Sequence, residues 1–313
     1  MALRGKDLLT IRNLSVGEVA TIMDVARKIK KKQKDGEPHK YLEGKTLGMI
    51  FHKASTRTRV SFEVGFWQLG GHPLYLNEAA TQMGRGEEVR DTARVLSRYV
   101  DGIMIRTFGH HIVEEFAKYA SVPVINGLTD KFHPCQALTD IFTFIEHKGT
   151  IKGRKMVYVG DGNNMAHSLM FACAKTGVDF VCASPEGYDP APLLIKEAQA
   201  AGMETGSKIS IVRDPMQAAE GADLLYTDVW ASMGMEQEQS IRQEALGEYQ
   251  INRYMLEVAK PDAIVMHCLP AHRGEEITDE VMEGTQSVIF DQAENRLHVQ
   301  KAIMALLMSD TVL

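Results

Sequence analysis

The chain has 313 residues, of which 44% are hydrophobic and 24% charged, and its formal net charge is −6. This length exceeds what a single hydrophobic core usually organises, so it predicts two domains. The net negative charge gives no reason to expect a nucleic acid or an anionic membrane as a partner.

The sequence shows no sign of a membrane segment or of secretion. No run approaches the roughly 18 apolar residues of a spanning helix. Charged residues interrupt the first stretch, MALRGKDLLTIRNLS, where a secretory signal would have an apolar core. The cysteines form no C-x-x-C pair, which favours free thiols over disulfides or a zinc site. These features predict a cytoplasmic protein.

The first half of the chain alternates short apolar runs with helical stretches. Ser15 and Glu18 have the spacing of a capping box that opens an amphipathic helix through Lys32. Strands are predicted in LGMIF, HPLYL, GIMIR and VPVIN, and helices in VSFEVGFWQL, EEVRDTARVLSRYV and HHIVEEFAKYA. This alternation is typical of a parallel sheet flanked by helices.

A long predicted helix over residues 134–148 ends this series, and a second α/β series follows. Its strands are predicted in KMVYVG, DFVCAS, KISIVR, DLLYTDV, AIVMHCLP and SVIF. The last stretch, AENRLHVQKAIMALLM, predicts one amphipathic helix that packs back on the first domain. The predicted fold is therefore α/β, with a parallel sheet in each of two domains. These are residues 1–149 with about 292–313, and residues 150–291.

Hydroxyls and arginines follow the first predicted strand, in Ser55-Thr56-Arg57-Thr58. A helix N-terminus presents unpaired N–H groups and a partial positive charge, and these side chains would complete an anion site there. An arginine can also hold two phosphate oxygens in a planar fork. A helix cap with surface arginines is the alternative interpretation. The chain lacks a GxxxxGK[ST] motif, so nucleotide hydrolysis lacks its usual signature.

Other chemically active side chains follow later strands or begin helices. Arg106 follows GIMI, His133 and Gln136 lie in FHPCQALTD, and Gln82 lies in TQMGRGE. In their order and spacing, S-T-R-T-R, M-I-R-T and H-P-C-Q resemble the carbamoyl-phosphate half of the aspartate/ornithine carbamoyltransferase family. The resemblance implies a homotrimer with active sites between subunits, in which Gln82 reaches the ligand of a neighbouring chain.

Two motifs of the second half bear on the second substrate. The stretch DVWASMG, which begins at Asp228, resembles the loop of family members that use ornithine; a strand-end turn is its alternative interpretation. The string HCLPAHRG at 267–274 resembles their ornithine-specific signature, although a lone cysteine at a strand end can also be a buried apolar residue. A late arginine, Arg296 in AENR, matches the arginine that contacts carbamoyl phosphate in the family.

The string GDGNNM at 160–165 partly matches a dinucleotide-binding fingerprint. Its third glycine is missing, because Met165 occupies that place. The partial match makes a dinucleotide-dependent oxidoreductase an alternative function, and the missing glycine counts against it. The family resemblance instead makes Asn164 a ligand for the α-carboxylate of the amino-acid substrate.

The resemblance covers nearly the whole chain and implies transfer of the carbamoyl group of carbamoyl phosphate to the δ-amine of L-ornithine. The implied carbamoyl-phosphate ligands are Ser55, Thr56, Arg57, Thr58, Gln82, Arg106, His133, Gln136, Cys268, Leu269 and Arg296. The implied ornithine ligands are Asn164, Asp228, Ser232 and Met233. Catalysis is expected from Thr58, Arg106, His133 and Cys268.

No metal or cofactor is expected, because the histidines lack the spacing of HExxH or similar ligand motifs. Three further alternatives remain open at the sequence level. The acceptor could be another amine, such as putrescine or an acylated ornithine. The protein could be a noncatalytic sensor of a phosphorylated metabolite. The reaction could run toward arginine synthesis or toward recovery of carbamoyl phosphate.

Overall fold

The computed structural model describes residues 3–77, 81–231 and 238–311. Contacts divide the chain into two compact units, one of Met1–Phe142 with Asn295–Leu313 and one of Thr143–Glu294. The boundaries expected from the sequence, at 149/150 and about 291/292, lie a few residues away and stay predictions.

The first unit contains a parallel sheet of four strands in the order β2-β1-β3-β4. The strands are β1 (Thr46–Phe51), β2 (His72–Asn77), β3 (Gly102–Arg106) and β4 (Val124–Leu128). Its helices are α1 (Val16–Lys34), α2 (Thr56–Gln68), α3 (Val89–Leu96), α4 (His110–Tyr119) and the beginning of α5 (Pro134–Lys148). Because β1 and β3 are adjacent and parallel, the polar residues that follow them lie near one another at the carboxyl edge of the sheet.

Helix α1 begins where the sequence predicts it. The Ser15 hydroxyl accepts a hydrogen bond from the Glu18 N–H at 3.1 Å, and the Glu18 carboxylate accepts one from the Ser15 N–H at 2.8 Å. This reciprocal pair satisfies two N–H groups that the first turn leaves without partners. The predicted capping box is therefore confirmed.

The second unit contains a parallel sheet of five strands in the order β7-β6-β5-β8-β9. The strands are β5 (Lys155–Val159), β6 (Asp179–Ala183), β7 (Ile209–Val212), β8 (Leu224–Thr227) and β9 (Ile264–His267). Its helices are α6 (Asn164–Thr176), α7 (Pro192–Gly202), α8 (Pro215–Ala219), α9 (Gln239–Leu246), α10 (Arg253–Val258), α11 (Asp279–Met282) and the beginning of α12 (Ile289–Met308). The predicted α/β class with two helix-flanked parallel sheets is thus confirmed.

The strand predicted in SVIF is wrong. Ser287 forms only an isolated bridge with Val265, and α12 begins at Ile289. The bridge has two backbone bonds, from the Val265 N–H to the Gln286 carbonyl and from the Val288 N–H to the Val265 carbonyl. Periodicity does not distinguish a short apolar run in a strand from the first turn of a buried helix, and here the helix forms.

The C-terminal part of α12 packs within the first unit, as expected. The Lys301 ammonium, which is fully buried, donates hydrogen bonds to Gln33 of α1, to Gln68 of α2 at 2.9 Å and to the His39 ring at 3.2 Å. Burial lowers the pKa of Lys301 to about 8. None of the helices in the described segments combines the length and the apolar character needed to cross a bilayer.

Candidate active site

The N-terminus of α2 forms the first part of the site. Ser55 is the N-cap, and its hydroxyl accepts a hydrogen bond from the Thr58 N–H at 3.2 Å. Thr56 is exposed and Arg57 is half-buried. Among the described residues, the Arg57 guanidinium has no hydrogen-bond or ion-pair partner. The first turn therefore offers N–H groups, hydroxyls and an available guanidinium to an anion.

Two buried guanidiniums converge on the Thr58 hydroxyl. Its oxygen accepts hydrogen bonds from Arg106 Nη1 at 3.3 Å and from Arg296 Nη2 at 3.0 Å, and all three side chains are buried. A hydroxyl oxygen has two lone pairs, and here both are used. The Thr58 proton is therefore free to donate to a ligand, in surroundings where two positive charges favour an anion.

His133 lies directly before α5 and is buried beside the same arginines. Burial, followed by the positive charges of Arg296 and Arg106, lowers the pKa of His133 well below its ordinary value. The ring is therefore neutral at pH 7, with one N–H donor and one acceptor nitrogen. A neutral ring can donate a hydrogen bond to a carbonyl oxygen without adding a third positive charge.

Gln136 joins Arg296 to a buried carboxylate. Its Oε1 accepts from Arg296 Nη1 at 3.0 Å, and its Nε2 donates to Asp140 Oδ1 at 2.8 Å. Gln300 also supports Arg296, because its amide oxygen lies 3.1 Å from Nη2 and 3.3 Å from Nε in the orientation that satisfies both partners. Sequence reasoning missed Asp140 and Gln300. The available signal for Asp140 was its position four residues after Gln136, on the same helix face.

Gln82 lies apart from these residues within its own chain. It is exposed, precedes a short 3-10 helix at Met83–Arg85 and lines a separate cavity of about 160 Å³ together with Leu76 and Thr92. In the segments that the structure describes, its side chain makes no hydrogen bond to the α2 N-terminus. Its expected role toward a neighbouring subunit stays a prediction.

In the second unit, Asp228 follows β8 and accepts three hydrogen bonds. Its Oδ1 accepts from the Cys268 thiol and from the Val229 N–H, both at 2.8 Å, and its Oδ2 accepts from the Asn163 amide, also at 2.8 Å. Because the thiol proton points at the carboxylate, the sulfur lone pairs are directed elsewhere. Cys268 itself is half-buried.

Asn163, which sequence reasoning also missed, caps α6. Its Oδ1 accepts from the N–H groups of Met165 at 2.8 Å and Ala166 at 3.3 Å, and from the Tyr158 hydroxyl at 3.2 Å. A dinucleotide pyrophosphate would need those N–H groups at the helix N-terminus, where Asn163 already occupies them. Asn164, the first residue of α6, is half-buried beside this cap.

The loop after β9 is held by a buried histidine and glutamate. Leu269 has φ +58°, in the left-handed region that a branched side chain rarely adopts. Its N–H donates to His267 Nδ1 at 2.8 Å, so the opposite nitrogen carries the ring proton and donates it to Glu276 Oε1 at 2.9 Å. His267 begins the HCLPAHRG motif, but the sequence predicted no role for it or for Glu276. This network fixes the backbone that carries Cys268.

In the described part of the second unit, two groups of side chains carry atom types that bind metals. They are Asp228, His267 and Cys268, and His272, Glu275 and Glu276, with the ligand atoms of each group within 4.8 Å of one another. Both ring nitrogens of His267 are already hydrogen-bonded, so that ring has no lone pair left for a metal. Glu276 Oε1 likewise accepts from His267 and from the His272 N–H. Both groups therefore take part in the hydrogen-bond network of this loop.

The predicted site residues thus fall into two described sets. The first unit contains Ser55, Thr56, Arg57, Thr58, Arg106, His133, Gln136 and Arg296, and the second unit contains Asn164, Asp228, Cys268 and Leu269. Direct hydrogen bonds join Thr58, Arg106, Arg296 and Gln136 in one network, and Asp228 and Cys268 in another. Ser232 and Met233 lie outside the described residues.

Comparison with known proteins covers both units. Residues 6–146 match the family model for the aspartate/ornithine carbamoyltransferase carbamoyl-P binding domain, and residues 152–307 match that for its Asp/Orn binding domain. The ornithine carbamoyltransferase of Thermococcus kodakarensis is 58% identical over 98% of this chain and 98% of its own. A relative from Pyrococcus furiosus named as the anabolic ornithine carbamoyltransferase is 56% identical, with 98% of each chain covered. A solved structure of ornithine carbamoyltransferase from Pyrococcus furiosus has a TM-score of 0.96 and covers 99% of each chain, at 56% identity.

Proposed function

The chain belongs to the aspartate/ornithine carbamoyltransferase family, and we propose that it transfers the carbamoyl group of carbamoyl phosphate to the δ-amine of L-ornithine. The products are L-citrulline and phosphate. The observation that carries this proposal is the convergence of two buried guanidiniums on Thr58, one turn into a helix whose N-terminus presents Ser55 and Arg57. That arrangement suits a phosphorylated ligand with a polar carbonyl beside its phosphate.

The first unit binds carbamoyl phosphate. Ser55, Thr56, Arg57 and the N–H groups of the first turn of α2 hold the phosphate, which needs several donors and compensating positive charge. Thr58, Arg106 and His133 face the carbonyl oxygen, and Gln136 accepts from the carbamoyl NH2 group. Arg296 supports this set through its bonds to Thr58 and Gln136. By family resemblance, Cys268 and Leu269 are further ligands of carbamoyl phosphate.

The second unit binds L-ornithine. Asn164 holds the α-carboxylate, while Asp228 attracts the α-ammonium. Ser232 and Met233 complete the amino-acid site by family resemblance. Holding the α-ammonium by a carboxylate keeps its proton in place, so the δ-amine becomes the nitrogen that reacts.

The attacking amine must be neutral. An alkylammonium with a pKa of about 10.4 loses its proton at pH 7 at a cost of about 4.6 kcal/mol, unless the site favours the neutral form. Desolvation and a nearby acceptor can supply much of this energy. The Cys268 sulfur, whose proton is donated to Asp228, and the Leu269 carbonyl are such acceptors. They orient the δ-amine lone pair toward the carbonyl carbon.

Attack produces a tetrahedral intermediate that bears an oxyanion and then expels phosphate. Thr58, Arg106 and His133 supply donors that are already in place before the reaction, which is the arrangement that stabilises developing charge most effectively. Loss of one such donor typically raises the barrier by about 2.7 to 4 kcal/mol. The leaving phosphate stays with the α2 N-terminus or accepts the amine proton directly.

We further propose a homotrimer in which Gln82 of one chain reaches carbamoyl phosphate of the next. Beside the α2 N-terminus lies an open groove of about 860 Å³, lined by Ser55 and Thr56 and by the apolar side chains of Val60 and Trp67. Trp67 is 70% exposed in the single chain. An exposed apolar surface next to a ligand site is typical of a subunit interface, and a second copy of this chain is its proposed occupant.

We place the protein in the cytoplasm and its reaction in arginine biosynthesis. All four cysteines, Cys135, Cys173, Cys182 and Cys268, are free thiols, as is usual in a reducing compartment. Burial raises the pKa of both Cys135 and Cys182 to about 12, so these two thiols stay unreactive. The name of the Pyrococcus furiosus relative supports the anabolic direction.

A colorimetric ureido assay with a panel of amines tests the proposed function. Carbamoyl phosphate is supplied with L-ornithine, putrescine or N-acetylornithine, and we expect product with L-ornithine alone. Faster turnover of putrescine or N-acetylornithine than of L-ornithine would show that one of these amines is the substrate. Tight binding of carbamoyl phosphate without any turnover would instead favour a sensor.

A further inference from the structure

The Gln136 side chain is held between two groups of opposite hydrogen-bonding character. Arg296 Nη1 can only donate, and it lies 3.0 Å from Gln136 Oε1. The Asp140 side chain accepts on the other side, because its Oδ1 lies 2.8 Å from the Gln136 Nε2 donor. All three side chains are buried, with Asp140 fully so. The two neighbours therefore specify the same orientation of the amide.

Asp140 reaches Gln136 because both residues lie on one face of α5, four positions apart. The carboxylate therefore anchors the amide nitrogen from within the same rigid helix. Without it, the buried amide N–H would lose its acceptor, which favours a rotated or displaced side chain. A carbonyl oxygen has two lone pairs, so Gln136 Oε1 can accept from Arg296 and from a ligand amine at once.

We propose that Asp140 is a specificity-determining positioning residue, which holds the Gln136 oxygen toward the carbamoyl NH2 group and so selects carbamoyl phosphate against acyl phosphates that carry a methyl group there. The inference rests on the proposed function, in which Gln136 faces the carbamoyl group. Acetyl phosphate has the same phosphate and carbonyl but no NH2. Its methyl group offers no donor to the second lone pair of the Gln136 oxygen, and an acceptor position left unfilled in a buried site disfavours such an analogue.

Two stable phosphonates separate this role from general binding. Phosphonoacetamide carries the amide NH2, and 2-oxopropylphosphonate carries a methyl group in its place. Their dissociation constants are measured by titration calorimetry on the full-length protein, and the ratio of the two constants reports selectivity. We expect Asp140→Leu to reduce this ratio by roughly tenfold, the worth of one hydrogen bond to a buried group. Binding of the methyl analogue should change much less.

Asp140→Asn is the conservative rescue, because its side-chain oxygen can still accept from Gln136 Nε2, and it should retain most of the selectivity. Thr139→Val is the matched control, since it removes a buried hydroxyl of the same helix that bonds back to the Cys135 carbonyl at 2.7 Å. Both variants should stay within about threefold of the wild-type ratio. Circular dichroism shows whether Asp140→Leu folds. If it does not, the same titrations are made with Asp140→Val, whose side chain is smaller.

The outcomes are distinct. An unchanged ratio in the leucine or valine variant would overturn the inference. So would an equal loss of affinity for both phosphonates, because Asp140 would then only support the helix. Failure of the wild-type protein to bind either phosphonate would contradict the proposed function itself. If the wild-type protein binds phosphonoacetamide and 2-oxopropylphosphonate equally well, Gln136 does not recognise the NH2 group and the inference is overturned.

Discussion

Arg57 and Thr58 are neighbours in the chain, but the structure holds them in different ways. Thr58 is buried and its oxygen is fixed by two guanidiniums, so its hydroxyl is oriented before any ligand arrives. Arg57 is half-buried, and its guanidinium has no partner among the described residues. In the proposed site, Thr58 is therefore fixed before a ligand arrives, and Arg57 would gain its partner from the bound phosphate.

Replacement of Arg57 should abolish citrulline formation and leave the fold intact. Arg57→Ala removes the planar fork that holds two phosphate oxygens, and a charge-assisted pair of this kind is among the stronger hydrogen-bonding arrangements. The measurement is the initial rate of citrulline production, with a thermal melt as the check on folding. Arg27→Ala, an exposed arginine of α1 that pairs with Asp24, is the control. Activity within tenfold of wild type would remove Arg57 from the site.

His133 should make the folded state sensitive to acid. Its folded pKa lies well below the value of about 6.5 expected when unfolded, so the unfolded chain binds more protons between these two values. The stability associated with the neutral ring is fully present above about pH 6.5 and is lost as pH falls toward the folded pKa. His133→Gln should therefore flatten the fall in unfolding free energy below pH 6.5, by up to about 1.4 kcal/mol per pH unit.

Urea unfolding between pH 5 and 7.5 measures this effect. The control is His111→Gln, whose ring lies exposed in the first turn of α4. Parallel curves for the wild-type protein and His133→Gln would show that the buried ring contributes nothing to acid sensitivity.

At the scale of elements, one side chain at the N-terminus of α6 both caps the helix and contacts Asp228, a proposed ligand of ornithine. Asn163 caps the helix with its oxygen and donates to Asp228 with its nitrogen. An aspartate at this position retains the capping oxygen but loses the donor and faces a second carboxylate. The two roles are therefore separable by substitution.

Asn163→Ala should lose both roles, and Asn163→Asp mainly the second. We expect Asn163→Ala to lower the unfolding free energy by about 1 kcal/mol, the usual worth of an N-cap, and to raise KM for ornithine. Asn163→Asp should raise KM with a smaller loss of helix capping. Asn252→Ala, which removes the N-cap of α10, should lower stability by a similar amount without changing KM. An unchanged KM in both Asn163 variants would contradict a role near the substrate.

At the scale of the whole molecule, the open groove beside α2, with its exposed apolar side chains, predicts association between chains. Trp67→Glu places a charge on the proposed interface, and it should shift the protein toward monomer in sedimentation velocity experiments. Tyr254→Glu is the matched control, because Tyr254 is a comparably exposed aromatic residue on α10. If both variants sediment like the wild-type protein, the groove is not the interface.

The proposed sharing of active sites between chains also predicts complementation. Arg57→Ala and Gln82→Ala should each be inactive, since each lacks one contribution to every site. Co-expression produces mixed trimers, in which an intact Arg57 from one chain meets an intact Gln82 from another, and citrulline formation should return. Arg57 and Thr58 belong to the same chain's part of the site, so co-expression of Arg57→Ala with Thr58→Val should not restore activity. Absence of activity in the first mixture would place Gln82 outside the shared site.

The sequence alone determined the alternation of strands and helices, and hence the fold class, because apolar periodicity reflects burial on each element. It also located most ligand candidates, since motifs such as S-T-R-T-R and H-C-L-P stand at strand ends and helix starts, where parallel sheets bind ligands. Local capping was equally predictable: Ser15 and Glu18 lie three residues apart, and their bonds need no distant partner.

Which side chains support one another depends on contacts between distant parts of the chain. The contact of Arg296 with Thr58 joins residues 238 positions apart, and that of Cys268 with Asp228 joins residues 40 positions apart. The meeting points of such residues depend on strand order and helix packing, which local patterns do not encode. The run SVIF shows the same limit, because only its packed surroundings choose helix over strand. The supporting residues Asp140 and Asn163 therefore emerged from the folded chain.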